Sequence, residues 1–179
     1  MKKFALIIAL AFLTFNLFGQ SFKFGHINTN ELVMLTADAD SAMVKLQAYQ
    51  KELEEELVSM RNEFQNKFNT YQQKSATWSA TVKESKESEL QELDQRIQQF
   101  QQTAAQDLQQ LQQSLFAPIF EKARNAISKI AKEKGLAVVF ETSVNPLAYY
   151  NEAQSVDMLP LVKAELGVPA EKVAPTQLQ

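Results

Sequence analysis

Cysteine and histidine, the side chains of thiol, disulfide and imidazole chemistry, are nearly absent from this sequence. It has no cysteine and one histidine, His26. That removes thiol nucleophiles, disulfides and Cys/His metal clusters. His26 lies in Phe22-Lys23-Phe24-Gly25-His26-Ile27, an alternating stretch of strand character. It reads as an ordinary strand-end residue, with no recognisable partners for zinc or for a Ser-His-Asp triad. Glu54, Glu55 and Glu56 read as a solvated helix face, not a general acid/base pair. No phosphate-binding loop occurs. The expectation is a protein that is not an enzyme and needs no metal or cofactor. What remains is contact chemistry. Met60, Phe64, Phe68, Tyr71 and Phe100 sit at helical spacing, and Trp78 is the only tryptophan. Methionine and aromatic side chains adapt to varied apolar partners. For most of them the weightier reading is that they zip two helices together. For Trp78, packing against the opposite helix is slightly preferred over an exposed contact.

The elements that must position these residues are two striped segments. Leu46, Tyr49, Leu53, Leu57, Met60, Phe64, Phe68 and Tyr71 are spaced by threes and fours, repeating every eleven residues. Leu90, Leu93, Ile97, Phe100, Ala104, Leu108, Leu111, Leu115 and Ile119 follow the same rule. Each set places one apolar stripe on a helix. An eleven-residue repeat is close to that of a straight helix and predicts little supercoiling. Roughly 35 residues from Ser41 to Ser75 would span about 50 Å, so the pair is expected to project as an arm. Ser, Thr and Ala around Trp78 lower helix propensity and place the reversal between about 75 and 86. Eleven glutamines on the second segment, from Gln91 to Gln113, read as a solvated face.

Lys2 and Lys3, an apolar run from Phe4 to Phe18, and Gly19-Gln20-Ser21 have the three-part pattern of a cleaved secretory signal. Residues 1–20 are assigned to it, and no later segment is long and apolar enough to span a membrane. Without Lys2 and Lys3 there are 16 basic and 21 acidic residues, a net charge of about −5. That balance disfavours nucleic acid as a partner.

The segments flanking the hairpin, 21–45 and 116–168, read as a body. Asn28 is a helix cap with Glu31 in the capping-box position, and Asp40 or Ser41 is expected to cap the long helix. Pro118 is expected to kink or restart the return helix. Lys132-Glu133-Lys134-Gly135 ends it. Leu136 to Glu141 reads as a strand buried on both faces, and Leu147 to Asn151 as a further strand. Met158 to Leu166 reads as a last helix, and 169–179 as a frayed tail. The fold class is mainly α with a small β body: a long antiparallel helical hairpin, residues 46–115, on a short-stranded base. Three short strands make a weak sheet alone, so the body is expected to oligomerise.

Ile27-Asn28-Thr29-Asn30-Glu31-Leu32-Val33 and Asp38-Ala39-Asp40-Ser41-Ala42 resemble the start of Skp (OmpH-like) periplasmic chaperones. So do Pro118-Ile119 through Ala126-Ile127 to Gly135, then Val138-Val139-Phe140, and Leu161 to Gly167. The resemblance covers essentially the whole mature chain. It implies a periplasmic homotrimer whose arms enclose unfolded outer-membrane proteins without ATP. Phe24, Ile27, Leu115, Phe116, Ile119, Val138, Val139 and Phe140 are then candidates for the oligomer core. Met60, Phe64, Phe68, Tyr71, Trp78 and Phe100 become the client-binding candidates. Two departures stand out. Well-known members are strongly basic, whereas this chain is acidic and Gln-rich, so no lipopolysaccharide site is carried over. Leu159 also precedes Pro160 where relatives carry a capping Thr. The competing class is a coiled-coil spacer or tether of the cell envelope.

Overall fold

A computed structural model describes residues 22–144 and 149–173. The expected signal sequence, the Asn145-Pro146 turn and the last six residues lie outside that set. In chain order the elements are β1 (Phe24–Ile27), α1 (Thr29–Met34), α2 (Ala37–Lys74), α3 (Ala80–Lys134), β2 (Val138–Glu141), β3 (Ser155–Asp157) and α4 (Leu159–Glu165). Single 3-10 turns occupy Ser75–Thr77 and Glu152–Gln154. The described residues divide into two compact units, one of residues 22–33 with 122–144 and 149–173, and one of residues 34–121.

The first unit is built on a three-stranded sheet of order β2-β1-β3. Both outer strands run parallel to β1, with Phe24 opposite Val138 on one side and Ser155 on the other. The third strand is therefore Ser155–Asp157 and not Leu147–Asn151. Tyr149 to Asn151 are irregular, and Leu147 and Ala148 fall outside the described residues. Aromatic content favoured the wrong segment, because strand preference is set more by sheet neighbours than by residue type. β2 is half-buried along its length, not buried on both faces, since it is an outer strand of this sheet.

Gly25 occupies the centre of β1 because nothing larger fits. A Cβ there would lie 2.9 Å from Leu136 Cδ1 and 3.0 Å from both Met158 Cγ and the Val156 carbonyl oxygen. Leu32, Val33, Met158 and Val162 are fully buried in this unit. Ala123, Ala126 and Ile130, spaced by threes and fours at the end of α3, are buried there too. Asn28 Oδ1 accepts from the Glu31 N–H at 3.0 Å, the expected cap. The Thr29 N–H is taken by the Glu141 carboxylate. Asp157 Oδ1 accepts from the Leu159 N–H at 2.9 Å, which supplies the start of α4 that Leu159 itself lacks.

Two helix boundaries differ from expectation. α2 begins at Ala37, capped by Thr36 Oγ1 accepting from the Ala39 N–H at 3.2 Å, so neither Asp40 nor Ser41 is the cap. Burial of Leu35, Ala39 and Ala42 favours starting the helix a turn earlier. α3 is a single helix through Pro118, so it does not restart there. Proline there costs one backbone donor, and the helical turns on both sides keep their own bonds, with Ile119 and Ala123 buried. The helix ends at Gly135, whose φ of 65° suits the left-handed position after a helix.

Of the tail expected to fray, residues 169–173 are bonded back to α4, and 174–179 lie outside the described residues. Lys163, only 7% exposed, donates from Nζ to the carbonyls of Ala170 at 2.8 Å and Lys172 at 2.7 Å.

Candidate functional site

α2 and the N-terminal part of α3 pack as an antiparallel pair within the unit of residues 34–121. Their register is marked by three cross-helix contacts. Arg96 pairs with Glu63 at 3.1 Å, Lys67 with Glu89 at 3.5 Å, and the Tyr71 hydroxyl donates to Glu87. Lys86 also meets Glu89 at 2.6 Å, and Lys67 meets Glu63 at 3.7 Å. Arg96, Glu63, Lys67, Glu89 and Lys86 form one continuous ion network across the pair. Its members are well exposed, so it does more for register than for stability. The hydrogen bond from Lys86, with the charges of Lys86 and Lys67, draws the Glu89 carboxyl below the usual carboxylate range.

The reversal between the helices is short: the turn at Ser75–Thr77, then Trp78 and Ser79, with α3 starting at Ala80. Trp78 is half-buried and lies edge-on against Tyr71, with centroids 5.9 Å apart.

The seam buries less than its stripes offer. Met60, Leu93 and Ile97 form a buried cluster, with Leu57, Phe64 and Phe100 packed partly against it. Towards the other end, Leu46, Tyr49, Leu53, Leu108, Leu111 and Leu115 are only half-buried. Two helices have one side each to share, and a wide stripe leaves its margins uncovered.

The contact candidates therefore separate. Met60 is enclosed in the cluster and presents little surface. Phe64 stacks parallel to Phe68, centroids 6.0 Å apart, and Phe68 is 36% exposed. Tyr71, Trp78 and Phe100 are half-buried. Phe68 is the most available of the six.

Among the oligomer candidates, Phe24 and Phe140 meet edge-on with centroids 5.8 Å apart. Phe22, 67% exposed, adds a third ring 6.3 Å from Phe24. Val138 and Val139 stand opposite Phe24 and Gly25 on the outer strand. Ile27 and Ile119 are already buried in the single chain, whereas Leu115 and Phe116 are half-exposed.

Sequence reasoning did not find a cleft of about 570 Å³ between the helices, floored by Met60 and Phe100 and walled by Glu56, Glu63, Arg96 and Thr103. Each wall residue is unremarkable in its own segment. Only the antiparallel register puts residues 56–63 beside 96–103.

His26 Nδ1 lies 2.8 Å from Ser155 Oγ, and its ring is 5.3 Å from that of Tyr150. This is a strand-to-strand tie in a central strand. Among the described residues no group of three or more side chains is arranged to hold a metal, and no helix is long and apolar enough to cross a membrane.

The described residues form a striped antiparallel helix pair and a small parallel sheet. Residues 23–166 match the family described as outer membrane protein (OmpH-like), and the chain belongs to that family. Among solved structures it is similar to a putative outer membrane chaperone (OmpH-like) from Caulobacter crescentus CB15. The TM-score is 0.70 at 14% identity, covering 90% of this chain and 96% of that one. No curated protein matches.

Proposed function

We propose that the protein is a periplasmic, ATP-independent holdase for unfolded outer-membrane proteins. In this reading it works as a homotrimer joined through the sheet-bearing unit, with the helix pairs as arms around a cavity. The observation that carries it is the incompletely buried seam: an apolar stripe continued along both helices, of which Phe68 and the margins around Leu46 to Leu57 and Leu108 to Leu115 stay reachable. A holdase needs many weak, non-directional apolar contacts on a wet surface. Family membership and the chaperone description of the similar solved structure support the same reading. The open edges of β2 and β3 and the Phe22, Phe24 and Phe140 rings suit association with further copies.

The test is to size the mature protein, then dilute a urea-denatured outer-membrane protein into it and follow light scattering. A trimer that keeps the client soluble without nucleotide is expected. A monomer, or a trimer that leaves aggregation unchanged, would overturn the proposal. The second outcome would favour a spacer or tether.

A further inference from the structure

We infer that the cleft over Met60 and Phe100 receives lysine and arginine side chains of non-native polypeptides, so that the preferred clients are cationic segments. The inference rests on the holdase reading and specifies the substrate class of the same helices.

The cleft, about 570 Å³, has room for side chains and not for a folded partner. Its floor is apolar, and its walls are unequal in charge. Arg96 is the one basic residue lining it, and that guanidinium is committed to Glu63 at 3.1 Å. Glu63 in turn also takes Lys67. Glu56 is exposed and, among the described residues, makes no ion pair. An entering ammonium or guanidinium would find an aromatic ring and an unpaired carboxylate in one small space. Its aliphatic stem would lie mainly along Phe100, with the nearly buried Met60 beneath. An acidic side chain would find the only guanidinium already taken.

Charge extends the match beyond the cleft. Glu52 stands one turn before Glu56 on the same face of α2, and Asp107 one turn beyond Thr103 on α3. The unit of residues 34–121 holds eight basic and fourteen acidic residues, a net of −6. Residues 22–33 and 122–179 together hold eight basic and seven acidic. The negative field thus belongs to the helices that carry the cleft, where it would gather positively charged chains.

The experiment uses the mature protein and two fluorescent unfolded peptides of equal apolar content, one bearing Lys and Arg and the other Asp and Glu. Binding is measured by anisotropy at low and high salt for the wild type, Glu56→Gln, Glu56→Lys and Glu84→Lys. Glu84 is exposed at the start of α3 and away from the cleft, so it controls for net charge. The basic peptide should bind more tightly than the acidic one, and salt should narrow the gap. Glu56→Gln should weaken the basic peptide about two- to five-fold, the range of one exposed charge pair. Glu56→Lys should weaken it further, and clearly more than Glu84→Lys, which changes the net charge equally but lies away from the cleft. Equal binding of the two peptides overturns the inference, as does an equal loss in Glu56→Lys and Glu84→Lys. Saturation of the cleft by a second copy, seen as peptide binding that falls with protein concentration, also overturns it. Client solubility by light scattering is read alongside. If wild type keeps the client soluble while the peptides bind alike, only this inference fails. If it does not, the holdase reading falls first.

Discussion

The Glu141 carboxylate joins the end of β2 to the start of α1, accepting from the Thr29 N–H at 3.1 Å and the Ser143 N–H at 3.0 Å. Partial burial disfavours its charge, but the donors of Thr29 and Ser143 outweigh burial and hold its pKa below the ordinary carboxylate value. A lowered folded-state pKa means the ionised form stabilises the fold. That contribution is complete above the unfolded value of about 4.3 and is lost as pH falls through the lower folded value. Glu141→Gln should cost about 1 kcal/mol at neutral pH and flatten the acid limb of a stability–pH curve measured by urea unfolding. Gly25→Ala tests the tight centre of β1. With a backbone carbonyl among the neighbours at 3.0 Å, it should cost about 1–3 kcal/mol in thermal melts. The cap at Asn28 was legible from residue order because it is local. The bond from Glu141 to Thr29 spans 112 positions and was not.

At the scale of elements, the helix pair sets stability against availability. Leu93 is 4% exposed within the seam cluster, so Leu93→Ala should cost about 2–4 kcal/mol and lower the melting temperature of the helical signal. Phe68, far more exposed, should be nearly neutral for stability when changed to Ala, yet weaken client solubilisation in the scattering assay. A variant set in which Phe68→Ala melts like Leu93→Ala would assign Phe68 to the seam. The stripes themselves were readable, because three- and four-residue spacing is a property of one helix. Their partial burial was not. The number of neighbours a stripe finds is a property of the packed pair. Pro118 teaches the same lesson in reverse: a local breaker yields when long hydrogen-bonded helix lies on both sides.

For the whole molecule, the uneven distribution of charge carries the clearest expectation. A unit at −6 should make client capture weaken with salt if clients are basic, the reverse of purely apolar holding, which salt does not weaken. Titrating sodium chloride in the client assay separates the two. Oligomerisation through the sheet-bearing unit predicts that charged substitutions at Phe24 or Phe140 shift the sedimentation of the mature protein toward monomer. Helicity per chain should hold.

Composition and spacing alone determined the absence of thiol chemistry, the two long helices, the caps at Asn28 and Gly135, and the order of helix and strand. All of these rest on interactions within a few residues. The tertiary structure decided which short segment became the third strand, that β2 lies on the outside, and that Thr36 opens α2. It also decided which aromatics are spent in the seam and which acid, Glu56, lines the cleft with Phe100 while making no ion pair among the described residues. Those outcomes depend on register between segments far apart in the chain, and register is fixed only when the faces meet.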